Sequence, residues 1–220
     1  MNTDMEFIDK QSSKTIVSFT GAGIAYFGQN PRTFRKEFLG LLKQSDFNIM
    51  FVVDKLVSWY NSIDVDKIKS KLINQQVITI GNSMGAYNAI QFANDFNVEK
   101  VIACAPQYSV HPDIVPREKR WQRRIANIKQ WKHKHLFFND TTEYYIFSGN
   151  TEEEMYHTNM IPHQRNIHKF IAQCGHDVGL SFKAKRILYP LINDCINNPA
   201  KIVAEKYAKD IEYFGYEFGE

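Results

Sequence analysis

The sequence predicts an α/β fold: a three-layer sandwich in which a mostly parallel central sheet of about six strands carries helices on both faces and is interrupted by one insertion. Three observations predict it. Short apolar runs recur with helix-like segments between them, the alternation expected of a parallel sheet covered on both sides. Most of the runs are almost continuously apolar, as strands buried on both faces are, with little polar alternation. One stretch, Pro106 to Asn139, is too long for a simple connection and reads as an inserted lid or cap. The 220 residues suit one domain spanning 1–220, large enough to bury a real core.

Taken in order, Thr15 to Phe19 (TIVSF) is the first predicted strand. Pro31 to Gln44 follows with apolar residues at helical spacing. Phe47 to Val53 (FNIMFVV) is the second strand, Asp64 to Asn74 the second helix, and Val77 to Ile80 (VITI) the third strand. Ala86 to Phe96 is amphipathic and helical, and Val101 to Ala103 (VIA) is a short strand leading into the insertion. Tyr144 to Phe147 (YYIF) and Lys169 to Ala172 (KFIA) complete the strands, and Phe182 to Asn197 is the closing helix. The tail from Lys206 to Glu220 mixes acids with Tyr213, Phe214, Tyr216 and Phe218. Those aromatics are too apolar to hang free in water and are expected to dock on the domain or on a second subunit, which makes a homodimer one expectation.

Composition excludes several classes. Apolar residues are 44% and charged residues 23%, the balance of an ordinary globular protein. A formal charge of +3 gives no footprint for nucleic acid. Cys104, Cys174 and Cys195 are widely spaced, odd in number and in no metal-ligand spacing, so neither disulfide framework nor zinc site is expected. The N-terminus has no apolar run of signal-peptide length, and no stretch approaches the ~18 apolar residues that span a bilayer, which places the chain in the cytoplasm by expectation.

The chemistry is concentrated in VITIGNSMGAYNAIQFA, where GNSMG joins a predicted strand to a predicted helix and fits the GxSxG pattern. Ser83 must leave a strand and start a helix within one sharp turn, so its backbone is strained and its hydroxyl is held clear at the carboxyl end of the sheet. Gly81 and Gly85 remove side chains where the two backbones would collide. The helix N-terminus beneath carries free amides and partial positive charge, which makes the Met84 N–H a donor for a developing oxyanion. A second donor is expected from Gly21 or Ala22, in the GAG loop after TIVSF. That loop lacks the full dinucleotide fingerprint, and no Lys-Ser/Thr pair follows it, so no cofactor is expected.

A serine hydroxyl needs a base to become a nucleophile near neutral pH. Of seven histidines, His176 is best placed, on a glycine-flanked loop (CGHDVG) directly after the last predicted strand and thus at the same sheet edge as Ser83. An acid to orient it should follow YYIF, where SGNTEEEMYH offers Glu152 and Glu154, with Asp113 as an outsider. A capping box from Thr151 to Glu154, with three acids favouring the helix dipole, is the competing structural reading.

The order of strand, GAG loop, elbow serine, acid loop and histidine loop resembles the α/β-hydrolase superfamily from about Thr15 to Ile196, with GNSMGAYNAI and CGHDVG carrying most of the likeness. The resemblance implies a doubly wound sheet and a Ser, acid, His triad used for acyl transfer to water. Two departures stand out: the early antiparallel strands common in the superfamily are missing from the expected elements, and the acid is glutamate in place of the more usual aspartate. FVVDKLVSWYNS, APQYSVHPD and the Trp-rich basic segment are also similar to hydrolase-like proteins associated with bacterial surface-polysaccharide genes.

The expected activity is therefore a serine esterase or thioesterase acting on a small-molecule or saccharide ester, including a carrier-linked acyl group. An acyltransferase with the same triad and a non-catalytic hydrolase-fold binding protein are the alternatives. Between Pro106 and His135 eight Lys and Arg face only Asp113 and Glu118, which points to an anionic ligand or to a merely solvated basic face. Trp121 and Asp54 are expected to line the substrate mouth, Trp121 by offering apolar area and stacking for a sugar ring.

Overall fold

The computed structural model describes residues 2–25, 36–126 and 128–214. Its strands are β1 (Thr3–Ile8), β2 (Lys14–Phe19), β3 (Asn48–Asp54), β4 (Gln76–Asn82), β5 (Val98–Cys104), β6 (Glu143–Gly149), β7 (Ile167–Ala172) and β8 (Ile211–Phe214). They form one sheet in the order β1-β3-β2-β4-β5-β6-β7-β8. The six inner strands are all parallel, and an antiparallel strand closes each edge.

Among the described residues the sheet thus has eight strands instead of about six, and an early antiparallel strand is present after all. In β1, TDMEFI, charged and apolar side chains interleave, and five of its six residues are only half-buried because it is an edge strand. Such a strand gives none of the continuous hydrophobicity that marks the inner ones. At the other edge, part of the aromatic tail docks on the domain: β8 pairs with β7 from Ile211↔Ala172 to Phe214↔Lys169. The Tyr213 ring packs 5.0 Å from Phe170, and its hydroxyl lies 2.9 Å from His168 Nδ1. Tyr216 and Phe218 lie outside the described residues.

Inner strands deliver alternate side chains to two cores. Met50, Val52, Val101, Ala103, Tyr144 and Ile146 enter one, while Ile49, Phe51, Ile102, Cys104, Tyr145 and Phe147 enter the other. Both faces are buried, which is why these strands read as unbroken apolar runs. The first core is covered by α2 (Val65–Lys69) and α3 (Met84–Asp95), through Ile68, Tyr87, Ile90 and Phe92. The second is covered by α6 (Val178–Ala184), α7 (Leu188–Asn197) and α8 (Ala200–Lys206), through Phe182, Leu191, Ile192, Cys195 and Val203. This is the three-layer sandwich.

The remaining helices are short: α1 (Leu39–Leu42), α4 (Gln122–Ile125) and α5 (Glu152–Thr158). Of the helix expected over Pro31 to Gln44, residues 31–35 lie outside the described residues, and within 36–44 only α1 is helical. The helix expected over Phe182 to Asn197 is in fact two, because Arg186 adopts a left-handed φ of 61° and breaks the run between α6 and α7. Among the described residues no helix is long and apolar enough to cross a membrane.

The strand order fixes where a site can form. From β2 the chain crosses to β3 on one side, and β4 returns to the other side of β2. The loops after β2 and β4 therefore diverge and leave a crevice at the carboxyl ends, the place where open α/β sheets bind ligands.

Candidate active site

Ser83 stands between β4 and α3 with φ 56° and ψ −123°, a backbone conformation that costs an L-residue free energy and needs its surroundings to hold it. The surroundings are backbone packed on backbone. A Cβ at Gly81 would meet the Gly85 carbonyl at 2.2 Å, and one at Gly85 would meet the Phe19 carbonyl oxygen at the end of β2, also at 2.2 Å. The Ser83 N–H donates to the Cys104 carbonyl at 2.8 Å, tying the elbow to β5. Met84 is the first residue of α3, so its N–H has no acceptor within the helix. Gly21 and Ala22 are buried beside this turn, with Gly21 so close that a Cβ would come within 2.7 Å of the Asn82 carbonyl oxygen.

His176 comes to the elbow from β7. Gly149, at the end of β6, lets the Cys174–Gly175 backbone approach to 2.3–2.4 Å of where a side chain would begin, and the loop is drawn down over the sheet edge. Its Nε2 lies 2.8 Å from Ser83 Oγ, and its Nδ1 lies 3.1 Å from each carboxylate oxygen of Glu154. A carboxylate only accepts, so Nδ1 carries the proton and Nε2 is left as acceptor for the serine hydroxyl.

The two expected acids are thereby separated. Glu154 is 3% exposed and faces His176. Glu152, two residues earlier on α5, points outward and pairs with Arg117. This corrects the expectation that either could reach the imidazole: two residues along a helix turn the side chain to the far face. Thr151 makes no side-chain cap bond, so the capping box is not formed. Asp113 is exposed and lies 3.6 Å from His111 Nδ1.

Glu154 is also bound by Arg120, whose Nη1 donates to it at 2.6 Å. Arg120 pairs through its other nitrogens with Glu118, which in turn takes the Nε2 of His157 at 2.9 Å. Burial pushes the Glu154 carboxyl up, but hydrogen bonds and charge from His176 and Arg120 more than reverse this and hold it below the usual carboxylate range. Glu118 behaves alike: burial opposes ionisation, while His157 and Arg120 bring it down to about 2.

The described end of the insertion, 133–139, runs along α3, bonded to Tyr87, Gln91, Ala93 and Asn94. Gln91 Nε2 donates to the His135 carbonyl at 2.7 Å, and Asn61 takes the N–H groups of Lys132 and His133 on its side-chain oxygen. Trp121 is buried, with its ring 5.8 Å from His176 and 5.5 Å from Trp59. Arg117 and Arg120 are engaged by acids, which weakens the argument from basic excess for an anionic ligand. Asp54 does not present its carboxylate as a free group for a ligand. It is buried at the end of β3 and accepts from the Ser58 hydroxyl and from the Leu56 and Ser58 N–H groups; burial raises its pKa.

One residue at the site was not anticipated. Gln107, 1% exposed and just beyond β5, places its Nε2 at 3.2 Å from Ser83 Oγ and 3.3 Å from His176 Nε2. Its only sequence signal is position, immediately after a strand end in ACAPQ, which distinguishes it from no other polar loop residue. Among the described residues no group of three or more His, Cys, Asp or Glu is placed to hold a metal ion.

No family model matches the chain, and no curated protein does. Solved structures do. The capsule O-acetyltransferase of Neisseria meningitidis serogroup A superposes with a TM-score of 0.59 at 14% identity, over 85% of this chain and 91% of that one. A Pyrococcus furiosus esterase gives 0.51 at 14% identity, over 94% and 87%. A protein of unknown function from Agrobacterium tumefaciens, described as a candidate α/β hydrolase, gives 0.54 at 11% identity, over 89% and 92%. At such identities the likeness is one of fold, and the fold is that of the α/β hydrolases.

Proposed function

We propose that the chain is a serine hydrolase that forms an acyl-enzyme on Ser83. The observation that carries this reading is the relay of contacts from Ser83 Oγ through both nitrogens of His176 to buried Glu154. His176 takes the hydroxyl proton as Oγ attacks an ester or thioester carbonyl. Glu154 holds the imidazole in the required tautomer and stabilises the imidazolium. The N–H groups of Met84 and of Gly21 or Ala22 receive the oxyanion. His176 then returns the proton to the leaving oxygen or sulfur, and water, activated by the same imidazole, releases the acyl group. The substrate class is a small-molecule or saccharide ester. An acid seated on the imidazole argues against a hydrolase-fold protein retained only for binding.

Fluorophosphonate labelling tests the nucleophile directly. Wild-type protein should label and Ser83→Ala should not; equal labelling of the variant would overturn the reading. A second reading, acyl transfer to an alcohol in place of water, is favoured by the capsule O-acetyltransferase among the superposing structures, which is also solved with CoA. The two readings separate when acetyl-CoA is supplied with and without a saccharide acceptor: a hydrolase releases CoA at the same rate in both cases, whereas a transferase requires the acceptor.

A further inference from the structure

Gln107 bridges two groups that the proposed mechanism needs, and its orientation can be deduced. Its Oε1 lies 3.0 Å from the Trp59 indole nitrogen. An indole N–H only donates, so the atom facing Trp59 is the amide oxygen and the atom facing Ser83 and His176 is the NH2. That NH2 only donates in turn. It therefore faces two acceptors, Ser83 Oγ and an unprotonated His176 Nε2 whose one lone pair it shares with the closer serine hydroxyl, and this is the same tautomer that Glu154 selects from the opposite side of the ring.

The orienting residue is itself held with care. Trp59 is fully buried, packs at a tilt against Trp121 with ring centres 5.5 Å apart, and has a φ of 46°; Val57 and Tyr60 beside it are left-handed too, at 52° and 71°. Three non-glycine residues in that region within four positions are costly and must be fixed by the rest of the structure. The fixing contacts are visible. Asp54 caps the turn through Ser58, Asn61 Nδ2 donates to the Ser58 and Trp59 carbonyls, and the Tyr60 hydroxyl donates to Asp95 at 2.8 Å.

From this geometry we infer that Gln107 is a further catalytic residue, donating its side-chain N–H to the nucleophilic oxygen as negative charge gathers there, with Trp59 as the positioning residue that sets the amide's direction. The inference rests on the acyl-enzyme reading above. When His176 is protonated in the first step its Nε2 becomes a donor, and the amide loses one of its two acceptors. The Gln107 N–H then belongs wholly to the reacting oxygen, so its contribution grows between ground state and transition state, the condition for raising a rate and not merely tightening binding. The 54–61 turn, far from the elbow in sequence, becomes part of the site.

The inactivation rate with a fluorophosphonate, split into kinact and KI, tests this without a natural substrate. Gln107→Met keeps the side-chain volume and removes the donor; kinact should fall by roughly 10- to 100-fold, the worth of one such hydrogen bond, with KI changed by less than about threefold. Gln107→Glu keeps the acceptor for Trp59 but turns an acceptor toward Ser83, and should fall at least as far. Trp59→Phe should lower kinact in the wild-type background and leave it unchanged in the Gln107→Met background, because its effect passes through the amide; a purely structural tryptophan would act in both. Thermal melts confirm that each variant folds, and if Gln107→Met does not, Gln107→Glu with Trp59→Phe carries the same test. Folded Gln107 variants within about twofold of wild type, with Ser83→Ala unlabelled, would overturn this inference alone. Ser83→Ala labelling like wild type would overturn the reading beneath it, and the inference with it.

Discussion

Two glutamates separated by one residue have opposite environments, and the difference is one of helix phase. Glu154 is nearly sealed and bonded to His176 and Arg120, while Glu152 reaches into solvent toward Arg117. If Glu154 orients the base, Glu154→Gln leaves the shape and withdraws the charge and the correct hydrogen-bond polarity, so kcat on a p-nitrophenyl ester should fall by about four powers of ten. Glu152→Gln should stay within about twofold, since exposed pairs of its kind are worth little. Equal effects of the two substitutions would remove Glu154 from the proposed role. The sequence placed Ser83 and His176 at one sheet edge because each is tied to the end of a strand by a local motif. It could not choose between the acids, because strand ends locate a loop to within a few residues and the choice turns on a half-turn of helix. Gln107 was invisible for a different reason: it joins the site through Trp59 and through the end of β5, neither of which leaves a pattern at fixed spacing.

Among the elements, inner strands were legible because both their faces are buried, and the edge strands were not. The closing helix shows the limit of periodicity in another way. Apolar residues continue at helical spacing from Phe182 to Ile196, yet the chain breaks at Arg186, where the Ile187 N–H donates back to the Phe182 carbonyl at 2.9 Å. The break lets α6 and α7 each lay an apolar side on the second core, with Phe182 on one and Leu191, Ile192 and Cys195 on the other. A left-handed arginine is a conformational cost that glycine largely avoids. Arg186→Gly is accordingly expected to stabilise the protein by up to about 1 kcal/mol, measured as a higher urea midpoint at constant slope. A lower midpoint would mean that the arginine side chain contributes more than its backbone costs.

At the scale of the whole molecule, one chain of hydrogen-bonded polar side chains joins residues far apart in sequence: His157, Glu118, Arg120, Glu154 and His176. Both carboxylates in it ionise more readily folded than unfolded, Glu118 down to about 2 from an ordinary 4.5. The unfolded chain therefore binds more protons through that range, and stability rises with pH across it. The contribution is complete above about 4.5 and drains away as pH drops toward 2. Glu118→Gln should lower stability at neutral pH and flatten the acid side of a chemical-denaturation profile; an unaltered acid limb would show that the pair does not couple to folding. The same chain has a consequence for turnover. Arg120 and Trp121 are adjacent in the backbone, and one holds the carboxylate while the other lies against the imidazole. Under the proposed mechanism, any movement that peeled this stretch outward would take the guanidinium from Glu154 and the indole from His176 together, so the acid and the base would lose their supports in one event.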